Sequence, residues 1–111
     1  MLPKQEFPDG WSLVDKINFL QRKIILNSMM YYEYNKNFLT DFEYDGICIQ
    51  LVNLQDKFEE QGHDIYIETR YGYAYYDFDG STGFHLYGRL NSEDACWLRA
   101  MCEVGVYNGR D

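Results

Sequence analysis

Three cysteines (Cys48, Cys96, Cys102), two histidines (His63, His85) and 18 carboxylates are the groups in this chain that could make or break bonds. A cysteine beside a histidine would supply a nucleophile and its base. A structural zinc would need four nitrogen or sulfur ligands. No two cysteines stand in CxxC spacing, and neither histidine is near a cysteine in sequence. Cys96 and Cys102 lie among Ala95, Trp97, Leu98 and Met101, and Cys48 also has apolar neighbours, so all three read as buried thiols. His85 alternates with Phe84 and Leu86 and reads as a solvent-facing position. The run DFDGSTG, residues 77–83, matches a calcium loop only in its first residues and lacks the glutamate at the twelfth position. A tight turn accounts better for its Asp and Gly residues. No GxSxG, no P-loop and no GxGxxG before a helix occurs. Catalysis, a metal and a cofactor are therefore not expected.

What remains is the chemistry of binding. The stretch YYEYNKNFLTDFEYDG, residues 31–46, carries four tyrosines, two aspartates and two glutamates. The whole chain has 11 tyrosines and a formal charge of −8. That charge argues against gripping nucleic acid directly, because phosphates call for Lys and Arg, and it repels anionic membranes. It favours a basic protein partner reached by electrostatic steering. Tyrosine adds a large rigid contact area at little entropic cost. Two clusters combine both properties. One is the corner with Tyr31, Tyr32, Tyr34, Asp41, Glu43 and Asp45. The other is a turn with Tyr75, Tyr76, Asp77 and Asp79.

Simple elements position these residues. The 111 residues suit one domain over 1–111, and 46% hydrophobic content makes it globular. No apolar run approaches the ~20 residues of a membrane span. MLPKQEFPDG has neither a basic start nor an apolar stretch, so no signal peptide is expected and the location reads as cytoplasmic. Residues 1–10 hold both prolines and read as an extended arm. Ser12 with Asp15 has capping-box spacing, and Leu13, Ile17, Leu20 and Ile24 recur on one helical face to about Tyr34. NKNFL breaks the pattern, and Thr40 with Glu43 caps a second helix. Its face runs through Tyr44, Ile47, Cys48, Leu51, Leu54, Gln55 and Phe58 to a stop at Gly62. So short a connection predicts a helical hairpin over 12–61. From residue 64 to 90 the period changes to alternation: Ile65 and Ile67, then Tyr71, Tyr73 and Tyr75, then FHLYGRL. This predicts a three-stranded antiparallel meander. A last helix over 92–105 would bury Trp97, Met101 and Val104. The expected class is α+β, a sheet with helices on one face.

The helix–corner–helix segment, residues 17–58, resembles the small N-terminal helical subdomain of NAD-dependent bacterial DNA ligases. The likeness rests on the tyrosine-rich end of the first helix and on LTDFEYDGICIQLVNLQ. In that family the comparable corner grips the nicotinamide mononucleotide half of NAD. The resemblance implies ligand contacts at Tyr32, Asp41, Tyr44 and Asp45. Glu33 stands where the family usually has a histidine, and Asn37 where it usually has a proline. Nothing downstream resembles the adenylating lysine motif, which excludes ligase activity for this chain.

The leading expectation is a small acidic, non-enzymatic binding protein. It would act as a phage-type inhibitor that blocks a nucleic-acid-binding enzyme, such as a CRISPR effector or a nuclease, in a phage-infected or prophage-carrying bacterium. Its carboxylates would stand where DNA phosphates stand. The alternatives are a nicotinamide-nucleotide-binding module, from the ligase resemblance, and a structural or regulatory subunit.

Overall fold

A computed structural model describes residues 2–81 and 83–104. Helix α1, Leu13–Tyr34, is the axis of the molecule. Ser12 caps it: the Ser12 side chain accepts the Asp15 N–H, and the Asp15 carboxylate accepts the Ser12 N–H. Such reciprocal caps satisfy two donors that a helix start would otherwise leave open. Asn35 ends α1 by turning left-handed (φ 53°), and its N–H donates to the Met30 carbonyl. Asn is among the few residues that take this conformation readily. Helix α2, Asp41–Glu60, starts with the same device on Thr40 and Glu43.

The two helices pack with Leu20, Ile24 and Leu51 wholly buried between them. From Ile24 to Met30 every residue of α1 is buried, so its second half is covered all round. The cover comes from α2, from α4 (Ser92–Val104) and from the segment before α4. The arm at residues 2–10 lies on α2. The Pro3 backbone sits where any side chain at Gly46 would go, and Gln5 pairs with the Gln50 amide through its N–H and carbonyl at 2.8 and 3.0 Å.

The expected meander is not there, and the α+β class is overturned: the described residues are helical and contain no strand. The segment from 64 to 90 instead forms the short helix α3, Ile65–Glu68, and two 3₁₀ turns at Gly72–Ala74 and Leu86–Arg89. The reason lies in where its polar groups bond. A strand gives its N–H groups to a neighbouring strand, and every buried one must find a partner. Here side chains of the helices take that role. Arg70 N–H donates to Asn18 Oδ1 (2.7 Å), Tyr71 N–H to Gln21 Oε1 (3.0 Å) and Gly83 N–H to the Tyr44 hydroxyl (3.1 Å). Gln21 is fully buried, and its Nε2 also donates to Gln55 and Thr69. The Tyr75 hydroxyl donates to the Gln21 carbonyl at 2.6 Å. One buried glutamine on α1 thus pins the segment at Thr69 and Tyr71 through its side chain and at Tyr75 through its carbonyl.

The last helix differs too. Its buried face is Asp94, Leu98 and Cys102, while Trp97 and Val104 are exposed and Met101 is half-buried. Asp94 can occupy a core position because Arg70 forks onto it at 2.6 and 3.1 Å and the Tyr73 hydroxyl donates to it at 2.6 Å. The expected stop at Gly105 lies outside the described residues.

Candidate functional site

The end of α1 and the start of α2 enclose a cleft of about 330 Å³. It exists because α1 stops abruptly at Asn35 and α2 restarts at Thr40, which leaves the last turn of one helix facing the first turn of the other. Tyr31 and Tyr32 are 47% and 56% exposed on the α1 side, although the residues just before them are buried. Asp41 joins the lining from the first turn of α2, where the helix dipole favours negative charge. Tyr44 and Phe84 complete the aromatic wall, stacked with centroids 4.7 Å apart and planes 20° apart. Phe84 also meets Tyr31 and Tyr32 at 5.8 and 5.7 Å. Asn27 and Asn37 add amides to the lining.

Tyr44 is part of the frame as well as of the wall. It is buried, its hydroxyl accepts the Gly83 N–H, and it lies 3.4 Å from the Ser28 hydroxyl. Burial pushes its phenol well above the ordinary range, so it stays neutral. A side chain at Gly83 would run into Ile24 at 2.6 Å, which is why the chain can pass here and set Phe84 over the cleft.

Tyr31, Tyr32, Asp41 and Tyr44 are therefore brought together, and the other corner candidates are not. Tyr34 is half-buried, with its hydroxyl donating to Glu103 at 3.1 Å. Glu43 is spent on the cap of α2. Asp45 is exposed outside the cleft lining. Comparison with protein-family models, with curated proteins and with solved structures gives no match.

The second acidic cluster is largely neutralised. Asp77 receives both Arg89 Nη groups at 2.6 and 2.9 Å, and His85 Nε2 lies 3.8 Å away. The Arg89 bonds draw the Asp77 carboxyl down to about 2. Asp79 closes a local turn by accepting the Ser81 N–H at 2.9 Å. Tyr75 is buried, and the exposed Tyr76 ring has the Arg89 guanidinium 4.2 Å above it.

Of the thiols, Cys48 and Cys102 are buried and burial pushes them up to about 12 and about 11, values unsuited to a nucleophile. Cys96 is exposed, contrary to the expectation of three buried thiols. Among the described residues no group of three or more His, Cys, Asp or Glu could hold a metal ion. No helix among them is long and apolar enough to cross a membrane. Sequence reasoning missed Phe84, which it placed on a strand. The one available signal was Gly83 before it, a mark of close backbone approach.

Proposed function

We propose that this chain is a non-catalytic binding module whose working site is the corner cleft, and that its ligand is the nicotinamide ribosyl part of NAD or of its mononucleotide. The observation that carries the reading is the convergence of Tyr31, Tyr32, Tyr44 and Phe84 with the Asp41 carboxylate on one cleft. Oxidised nicotinamide is a flat cationic ring. Aromatic faces attract such a cation through their quadrupole, and a nearby carboxylate balances its charge. The amide of Asn37 suits the ring carboxamide or the ribose hydroxyls. No Lys or Arg lines the cleft, so the ligand phosphate would project into solvent. The ligase resemblance brings Tyr32, Asp41 and Tyr44 to the same reading, while Asp45 departs from it.

The test is a thermal shift series with the mononucleotide in its oxidised and reduced forms. The oxidised form should stabilise the fold, by about 2.7 kcal/mol at 100 times its dissociation constant. The reduced form, whose ring is neutral, should do so far less. Equal effects of both forms, or none, would reject the cationic-ring reading.

A second reading rests on the charge of −8 and on the exposure of Asp41, Glu43 and Asp45 beside Tyr31 and Tyr32. It takes the same corner as the contact surface of a phage-type inhibitor, docking on a basic nucleic-acid-binding protein. Recovery of such an enzyme with the tagged chain from its native cells, in a complex that high salt and DNA both dissolve, would favour it. A complex insensitive to both would leave an ordinary apolar contact instead.

A further inference from the structure

We propose that a second cleft, at the opposite end of α1, is a binding site for a planar ring that carries a phosphate, the chemistry of a nucleotide. This cleft of about 410 Å³ falls in the size range of small-molecule sites, about 300–1,000 Å³. It lies about 20 Å along α1 from the corner, counting 14 residues from Asn18 to Tyr32 at about 1.5 Å each. Its aromatic lining is Trp11, Phe19, Tyr71 and Trp97. Trp11 packs edge-on against Phe19 at 5.7 Å, which holds its ring in place. Trp97 is 60% exposed, so an apolar surface that folding leaves uncovered borders the cleft.

Two guanidinium groups, Arg22 and Arg70, lie in the same lining. Arg70 is fixed by its fork onto Asp94 and keeps its Nε–H beyond those bonds. Arg22 sits 5.7 Å over the Phe19 ring, and no carboxylate pairs with it among the described residues. An unpaired arginine beside aromatic rings is unexpected in a chain of charge −8. Tyr71 is the third polar feature. It is 4% exposed and lines the cleft, yet its hydroxyl has no hydrogen-bond partner among the described residues. Among the described residues no buried side-chain polar atom lacks a partner, so that hydroxyl is not sealed in the core. The Arg70 guanidinium sits 4.6 Å over the Tyr71 ring, and Arg22 lines the same cleft. Asp15 also lines the cleft, but its carboxylate is engaged in the cap of α1. Arginine suits phosphate through its planar fork, and rings of Trp and Phe stack on any nucleobase. With a single arginine outside an ion pair and Asp15 also in the lining, the site suits one phosphate rather than a long polyanion.

The chain has only two tryptophans, both in this cleft and neither in the corner, so their fluorescence reports on this site alone. The full chain should be titrated with AMP, adenosine, inorganic phosphate and a 5′-phosphorylated single-stranded oligonucleotide. A saturable change with AMP is expected, with adenosine and phosphate each at least about tenfold weaker. Response to the oligonucleotide but not to AMP would place the same base and phosphate at a strand end, and also supports the site. Arg22→Gln should weaken binding about tenfold without moving the melting midpoint, and Tyr71→Phe should weaken it severalfold. No response to AMP or oligonucleotide at millimolar concentration would overturn the proposal. So would adenosine binding as well as AMP, or a response unchanged in Arg22→Gln.

Discussion

The two acidic, tyrosine-bearing clusters look alike in sequence and differ in what they can offer a ligand. In the corner, Asp41 opens onto a cleft walled by tyrosines, and no cation pairs with it among the described residues. In the turn, Asp77 is gripped by Arg89, Asp79 closes its own turn, and Tyr75 is buried. Arg89 is 12 residues away from Asp77, close enough to be seen in sequence but not to be paired with it there. Carboxylates near tyrosines are therefore not enough to mark a surface. Whether a cation has already taken the charge decides it.

The sharpest way to break the comparison is to remove the tyrosine that frames the corner. Tyr44→Ala should cost about 3–5 kcal/mol in urea unfolding, because it empties a buried aromatic position and frees the Gly83 N–H. Leu51→Ala, which loosens the α1–α2 packing behind the cleft, should cost about 2–5 kcal/mol. A midpoint unchanged by Leu51→Ala would sink the helix pairing. The turn should respond more mildly: Tyr75→Phe loses one hydrogen bond to the Gln21 carbonyl, about 1 kcal/mol.

Next comes a titration. The folded Asp77 carboxyl lies at about 2, below the ordinary aspartate value of about 3.9. Its contribution to stability is thus present above about pH 4 and is lost as pH falls toward 2. Arg89→Gln should raise the Asp77 midpoint, followed by carboxyl NMR, and flatten that part of the stability profile. An Asp77 midpoint unmoved by Arg89→Gln would mean that the turn carboxylate is as available as the corner one. The smallest effect concerns Asp45. Because it sits outside the cleft, Asp45→Asn should leave ligand binding nearly intact where Asp41→Asn removes it. The reverse order would restore the contact pattern of the ligase-like corner.

The hairpin was legible because its signals are local. Ser12 with Asp15 and Thr40 with Glu43 are capping boxes in sequence and in the structure, and the apolar stripe through Leu20, Ile24 and Leu51 is the core. Tyr31, Tyr32 and Asp41 stood out as part of the acidic, tyrosine-rich corner, and Tyr44 entered as a contact only through the ligase resemblance. The segment from 64 to 90 was not legible, because alternation of tyrosines describes a strand only if their polar groups pair with other strands. Tyr71 and Tyr75 turn to Gln21, and Tyr73 turns to Asp94. Gln21 and Asp94 are polar residues at core positions, and a hydrophobic pattern skips such residues until their partners are known. The same blindness exchanged the faces of α4, where Asp94 rather than Trp97 points inward.

Calorimetric titration of the full chain with oxidised nicotinamide mononucleotide tests the central claim most directly. Measured in an Arg22→Gln background, which weakens the second cleft, the corner reading predicts saturable heat that Asp41→Asn abolishes. No heat at millimolar ligand, or equal heat from Asp41→Asn, would contradict it.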